Sequence, residues 1–232
     1  MSKKKSDKAE VRVEGVEQAL TKAEYFIETY QKQIVWVISA ILGIVVLYMA
    51  FQRFYVEKKS LEAAGQMYPA EQYFFEANDW ERALEGDGNN PGFVDIMDEF
   101  RFTKSANLAK YYAGICYLRL GAYEEAISCL SKFKSKDVIL SSIALGGIGD
   151  AYAQLDDWEK AVLFYKKAAE RKSNDFTSPI YLLRAGILFE KEGKLKEAAQ
   201  MYERIKSDYA VSTEGRNIDK YIARVKIKQE TN

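Results

Sequence analysis

The sequence predicts an all-α protein: a single N-terminal transmembrane helix followed by an α-solenoid of helical hairpins and a C-terminal capping helix. Three observations predict this fold. Residues 34–51 form an uncharged apolar run, a motif recurs three times after residue 105, and the chain of 232 residues contains only three prolines. A single helical hairpin cannot bury its apolar face alone, so recurring hairpins are expected to stack into a solenoid.

The apolar run Ile34–Phe51 has the length of a membrane-spanning helix. Its eighteen residues carry no charge, and as a helix they would extend roughly 27 Å, against about 30 Å of hydrocarbon core. Trp36 lies near one end and Tyr48 and Tyr55 near the other, where aromatic rings favour the headgroup level. A buried core helix would keep a polar stripe, and a signal peptide would be shorter. We therefore predict that residues 34–53 cross a membrane and contact its lipid.

Residues 1–33 are predicted to form a polar, lysine-rich tail followed by an amphipathic helix. From Val13 to Tyr30, apolar residues recur every three or four positions, which gives the helix one apolar face. This face can rest on a membrane surface or pair with a partner helix, or the helix can be solvated without a partner. Lysines of the whole tail favour a cytoplasmic N-terminus, but basic residues close to the apolar run are nearly balanced, so charge leaves the orientation open.

Composition excludes several functional classes. The 34 basic and 34 acidic residues balance, so no nucleic-acid partner is indicated. The chain has no histidine, which removes the commonest metal ligand and acid–base group. The run Gly146–Gly149 (GGIG) lies inside a predicted helix with no preceding strand, and packing explains it better than a phosphate loop. We expect no enzymatic activity, no catalytic residues, no metal and no cofactor.

Cys116 and Cys129 are the two cysteines of the chain, thirteen residues apart. They can form a disulfide, but the spacing fits two buried free thiols on neighbouring helices better. They do not indicate a cellular compartment.

Three segments after residue 105 share one skeleton: Leu108–Phe133, Ile143–Ala168 and Ile180–Ile205. Each has a glycine, an aromatic residue three positions later, an alanine nine after that, and a large residue four further on. The members are Gly114, Tyr117, Ala126 and Leu130; Gly149, Tyr152, Ala161 and Tyr165; and Gly186, Phe189, Ala198 and Tyr202. Glycine on one helix and alanine on the next allow two backbones to approach closely, which predicts antiparallel helical hairpins.

The turns between the helices also have a chemical signature. They read GAYEEA, DDWEKA and GKLKEA. Gly121 and Gly193 can take a positive φ at a helix C-terminus, and Asp156 or Asp157 can serve as a turn or cap residue.

This skeleton resembles the tetratricopeptide repeat, a helix–turn–helix unit of about 34 residues. The resemblance covers about residues 107–210, and we assign three repeats to residues 106–210. The proline usual at the end of the repeat is absent and the spacers are one and three residues too long, so the superhelical geometry is not implied. The resemblance implies that the first helix of each hairpin lines a concave partner groove. The candidate groove residues are Tyr111, Tyr112, Ile115, Arg119, Asp150, Gln154, Arg184, Ile187 and Lys191.

The regions on either side of the repeats are predicted from weaker patterns. Residues 54–105 are interpreted as a linking helix and a degenerate first repeat, because Gln72–Leu84 parallels Asp150–Val162 before Gly86–Gly92 interrupts it. Val94–Phe102 would replace the second helix, and chance similarity is the alternative. Residues 211–232 are predicted to contain one capping helix, Thr213–Lys228, with a tail; a basic partner-binding helix is the alternative.

One anchor followed by tetratricopeptide repeats resembles the YfgM-like ancillary subunits of the bacterial Sec translocon, in particular those of Bacteroidetes-type bacteria. This resemblance implies a single-pass protein of the bacterial inner membrane with a cytoplasmic N-terminus and periplasmic repeats. Its implied partners are translocon subunits, chaperones or secreted polypeptides. A structural scaffold or assembly factor for a cell-envelope complex is the alternative, and a cytoplasmic adaptor is a third.

Overall fold

The computed structural model describes residues 29–231 and divides the chain into two compact units, Met1–Glu57 and Lys58–Asn232. The predicted tail and nearly all of the predicted amphipathic helix lie outside the described residues. Within residues 29–231 every named element is helical, and the β-structure there is one isolated bridge between Gly86 and Pro91. The all-α prediction is therefore confirmed.

The first unit contains the apolar run. The run lies in helix α1, Thr29–Ala77, which is the one helix of the described chain that is long and apolar enough to cross a membrane. None of its most apolar stretch is buried against protein. Within residues 29–231 the run is therefore not packed as a buried core helix. A π-helical turn, Gln52–Val56, follows it, and Arg53 Nη1 lies 2.7 Å from a carboxylate oxygen of Glu57.

The second unit is a succession of helices. The α-helical stretch Glu57–Gln72 and a π-helical turn, Tyr73–Ala77, complete α1. The helices that follow are α2 (Trp80–Glu85), α3 (Phe93–Glu99), α4 (Lys104–Leu120), α5 (Tyr123–Lys132), α6 (Val138–Gln154), α7 (Trp158–Glu170), α8 (Ser178–Lys191), α9 (Leu195–Asp208), α10 (Thr213–Arg216) and α11 (Asp219–Thr231).

Helices α4 to α9 form the three predicted hairpins, and each helix packs on the next one along the chain. A Cβ atom placed on the skeleton glycine of each hairpin would lie 2.4–2.6 Å from a side-chain atom of the facing helix. The three pairs are Gly114–Leu130, Gly149–Tyr165 and Gly186–Tyr202. The predicted close crossing is confirmed, and the large residue four positions after the alanine is what fills the space above each glycine.

The turns have the predicted conformations. Gly121 and Gly193 take φ values of 80° and 75°, and Asp156 takes 57°. Asp157 caps α7, because its Oδ1 accepts a hydrogen bond from the backbone N–H of Lys160 at 3.2 Å.

The region before the first hairpin has a turn of the same kind. Asn78 takes a φ of 52°, and the side chain of Asp79 caps α2, as Asp156 and Asp157 do before α7. Helix α2 then stops after six residues, and Asp87 organises the following loop by accepting backbone hydrogen bonds from Asn89 and Asn90. The replacement helix is α3. A degenerate repeat at residues 54–105 stays a prediction that this turn supports.

The glycine run of α6 serves packing, as predicted. Gly146 lies beneath the ring of Tyr181 from α8: a Cβ there would be 2.0 Å from Cε1 of that ring. Gly147 faces Leu130 and Leu118 of the preceding hairpin in the same way. Helix α6 therefore approaches both of its neighbouring hairpins through glycine.

Cys116 and Cys129 are free and buried, which confirms the prediction of free thiols. Burial raises the pKa of Cys116 to about 12. The thiol is therefore protonated and unreactive at neutral pH.

The C-terminal prediction is wrong in one respect. Thr213–Lys228 is not one helix: α10 ends at Arg216, and α11 begins at Asp219. The break lets Ile218 enter the core, where it is 1 % exposed beside Ile222 and Val225 of α11. The predicted apolar stripe does face inward, through Ile218, Ile222 and Val225.

Candidate partner-binding surface

The nine predicted groove residues lie on α4, α6 and α8, the first helices of the three hairpins. Their burial differs widely. Tyr111 is buried; Tyr112, Ile115 and Asp150 are half-buried; Arg119, Gln154, Arg184, Ile187 and Lys191 are exposed. The set is therefore not one continuous wall, and its members have distinct roles.

Tyr111 belongs to the core. Its side chain is 9 % exposed, and its ring packs 5.3 Å from that of Phe133 and 5.4 Å from that of Tyr112. The residues from Phe133 onward turn back over α4 before α6 begins, and they cover the position that helical register alone places on an open face. Tyr111 therefore contributes to packing and does not line an accessible groove.

Tyr112 is part of a cluster of four rings, which we call the aromatic patch: Phe74, Phe75, Phe93 and Tyr112. The centroid of Tyr112 lies 4.9 Å from Phe74, 5.6 Å from Phe75 and 5.1 Å from Phe93. Phe93 is fully buried, whereas Phe75 is 61 % exposed. The patch therefore connects the core to solvent through an exposed aromatic side chain.

Sequence reasoning missed Phe75. It lies in the π-helical turn Tyr73–Ala77, which departs from the 3.6-residue period used to assign helix faces. Two adjacent phenylalanines, Phe74 and Phe75, both contact Tyr112 there. The unusual run of three aromatics from Tyr73 was the only signal available.

Asp150 and Arg184 are brought together, although they lie 34 residues apart. The guanidinium of Arg184 donates to both carboxylate oxygens of Asp150, and Tyr165 Oη donates to the same carboxylate at 2.7 Å. Arg184 also lies over the ring of Tyr181, 5.5 Å from its centroid. Burial, with the nearby Asp150 charge, raises the pKa of Tyr165, so the phenol remains a donor. These groups join the second hairpin to the third.

A similar arrangement joins the third hairpin to α11. Glu190, whose side chain is 7 % exposed, accepts hydrogen bonds from Arg224 at 2.7 Å, Lys228 at 2.9 Å and Tyr202 at 3.1 Å. Burial opposes ionisation, but these donors lower the pKa of Glu190 below its usual value. We call the two arrangements the tyrosine–carboxylate–arginine clasps.

Arg119 and Lys191 occupy equivalent positions, five residues after the skeleton glycine. Each packs on a tryptophan that begins a helix earlier in the chain, Trp80 of α2 and Trp158 of α7. Arg119 Cζ lies 5.7 Å from the ring of Trp80, and Lys191 Nζ lies 4.3 Å from that of Trp158. Such cation–π contacts hold neighbouring units in register. Gln154 takes the same position in the second hairpin.

Most of the polar candidates therefore contact a neighbouring hairpin or helix of the solenoid. Ile187, which is 41 % exposed, is the predicted groove residue that offers apolar area to solvent beside the polar side chains. No group of three or more His, Cys, Asp or Glu side chains within residues 29–231 is placed to hold a metal ion.

Sequence comparisons support the repeat assignment. One family model described as tetratricopeptide repeat matches residues 144–179, and a second with the same description matches residues 108–137 and 181–210. These matches coincide with the three hairpins, so the solenoid contains tetratricopeptide repeats. No curated protein matches the chain.

Proposed function

We propose that the protein is a membrane-anchored, non-enzymatic interaction module whose tetratricopeptide repeats bind partner polypeptides. The observation that carries this proposal is the aromatic patch, in which Phe75 is 61 % exposed while its neighbours anchor it to the core. Aromatic side chains, phenylalanine among them, are enriched in the cores of protein–protein interfaces. Other candidate contacts, in addition to the aromatic patch, are the exposed first-helix residues Arg119, Gln154, Ile187 and Lys191.

The anchor and the compartment are part of this proposal. Residues 34–53 would cross a bacterial inner membrane, with the N-terminus in the cytoplasm and the repeats in the periplasm. Association with the Sec translocon, or transfer of secreted polypeptides to chaperones, rests on the resemblance of the architecture to YfgM-like subunits. The length and exposure of the apolar helix support the anchor, and the repeats support a protein partner.

Crosslinking in cells tests partner binding. The full chain carrying Phe75→Ala is compared with Phe176→Ala, a control in which a phenylalanine of similar exposure, 64 %, is truncated elsewhere. We expect Phe75→Ala to reduce the recovery of crosslinked partners at least fivefold and Phe176→Ala to leave it unchanged. Equal recovery from both variants would argue against the aromatic patch as the binding surface.

The identity of the partners separates the two candidate roles. Recovery of translocon subunits together with many nascent polypeptides supports the translocon role, whereas one stable set of envelope subunits indicates a scaffold or assembly factor. A C-terminal reporter that is active in only one compartment decides the orientation. Activity of the reporter in the cytoplasm would exclude a periplasmic role.

A further inference from the structure

A cleft lined by residues outside the aromatic patch lies between the first and second hairpins. Helices α5, α6 and α7, with the loop that precedes α6, enclose a cleft of about 390 Å³. Its wall is apolar and includes Leu130, Ile148 and Phe164. The volume falls within the roughly 300–1,000 Å³ of ligand-binding pockets. None of the nine predicted groove residues lines it.

The rim of the cleft is cationic. Lys134 and Arg171 contribute to it, together with serine hydroxyls such as that of Ser141. Lys132, the last residue of α5, and Lys136 lie two positions before and after Lys134, and all three lysines are exposed.

Arg171 has no acidic partner within 4.0 Å, in contrast to three other arginines of the solenoid. Arg184, Arg204 and Arg224 each form an ion pair with a carboxylate 34 residues earlier in the chain. Arg171 makes two long hydrogen bonds to neutral acceptors, 3.3 Å to Ser141 Oγ and 3.4 Å to the carbonyl oxygen of Ser135. Among residues 29–231, neither Arg171 nor Lys134 has a carboxylate oxygen within 4.0 Å.

Asp175, four residues after Arg171, is exposed and does not lie within 4.0 Å of that guanidinium. Two other acidic residues close to these cations along the chain already have partners. Asp137 caps α6, with Oδ1 accepting the backbone N–H of Leu140 at 2.8 Å. Glu170 lies 3.4 Å from Arg204. The guanidinium of Arg171 is thus able to exchange two weak neutral contacts for a charge-assisted, two-point bond to a carboxylate.

We propose that this cleft binds an extended segment of a partner polypeptide in which apolar side chains are flanked by carboxylates. An apolar side chain packs against Leu130, Ile148 and Phe164, and a flanking carboxylate pairs with Arg171. The lysines at positions 132, 134 and 136 are spaced along the end of α5 and the loop that follows it. This spacing matches several carboxylates along a peptide better than the single head group of a lipid. The proposal rests on a protein-binding role, but on a set of lining residues that does not overlap the aromatic patch.

Fluorescence anisotropy of the full chain in detergent micelles tests this inference. The probe is the fluorescein-labelled peptide Glu-Asp-Leu-Phe-Glu-Asp. One control replaces its acidic residues with lysines, and another replaces Leu-Phe with Ser-Asn. We expect the probe to bind at least tenfold more tightly than either control, because both the charge and the apolar side chains are needed.

Two charge-reversal variants locate the binding. Arg171→Glu is expected to weaken binding of the probe at least tenfold, whereas Lys196→Glu, which reverses an exposed lysine on α9, is expected to change it less than twofold. Unchanged affinity in Arg171→Glu, equal affinity for all three peptides, or displacement of the probe by dodecanoate would overturn the inference.

A third variant separates this inference from the proposed function. Phe75→Ala should bind the probe as the native chain does. If Phe75→Ala abolishes partner crosslinking in cells while the native chain fails to bind the probe, the peptide-binding role of the cleft is refuted and the proposed function is supported. If the probe binds through Arg171 but Phe75→Ala has no effect in cells, peptide binding by the cleft is supported and partner binding by the aromatic patch is refuted.

Discussion

Replacing Gly146 with alanine should destabilise the solenoid, although alanine is the better helix former. Gly146 lies in the interior of α6, under the ring of Tyr181 from the next hairpin. A matched control exists in Gly65, which also lies inside a helix but has no atom within 4 Å of the position a Cβ would take. The same substitution therefore tests helix propensity alone at one site and propensity plus packing at the other.

The expected sizes follow from the two environments. Gly→Ala in a helix interior is favourable by roughly 1 kcal/mol, and this should be the whole effect at Gly65. At Gly146 the new Cβ would lie 2.0 Å from Cε1 and 2.2 Å from Cζ of a ring that is 6 % exposed. Overpacking of this kind costs about 1–3 kcal/mol, and a contact this short belongs at the upper end. The net result at Gly146 is a loss of about 2 kcal/mol.

Thermal unfolding followed by circular dichroism measures both effects. For a chain of this size, 1 kcal/mol corresponds to about 2–4 °C in Tm. Gly146→Ala should lower Tm by about 4–8 °C, and Gly65→Ala should raise it by about 2–4 °C. In a Tyr181→Leu background, which removes the obstructing ring, Gly146→Ala should lose most of its cost. Shifts of the same sign and size for both glycines would refute the packing argument.

Three further outcomes are expected. Glu190→Gln should destabilise the native chain by about 1–3 kcal/mol because it weakens the clasp to Arg224. Since the pKa of Glu190 is lowered in the fold, this difference should be present above about pH 4.5 and vanish as pH falls through the lowered value, as urea unfolding at a series of decreasing pH values would show. Cys116 and Cys129 should react with a thiol reagent at pH 8 only after denaturant is added, and rapid labelling of the native chain would contradict their burial. Asp157→Ala should cost about 1 kcal/mol through loss of the α7 cap, measured by the same urea titration.

The solvent exposure of the charged side chains limits how much stability each clasp can supply. In the clasp between the second and third hairpins, Arg184 and Asp150 are 43 % and 37 % exposed, so solvent screens their attraction and the pair alone contributes little. Glu190 is far more buried, which is why the pH dependence should be sought there. Because each unit of a solenoid contacts only its neighbours, loss of a clasp should loosen one boundary and leave the other hairpins folded.

Local features of the fold followed from the sequence. The skeleton of glycine, aromatic residue and alanine predicted where each hairpin crosses, and residues such as Gly121 and Asp157 predicted how each turn is made. The apolar run from Ile34 predicted a long helix, and within residues 29–231 none of its most apolar stretch is buried. These features were predictable because each depends on side chains close together in the chain, which meet in any hairpin of that length.

The contacts between hairpins were decided by the tertiary structure. Tyr111 had the register of a groove residue, yet Phe133 covers it; Asp150 and Arg184 had the same register, yet they bind each other. The sequence likewise could not predict that Arg171 has no carboxylate partner or that Phe75 is exposed. The physical reason is that helical periodicity assigns a residue to a face of its own helix. The rotation and spacing of the next hairpin then determine whether that face meets protein or solvent.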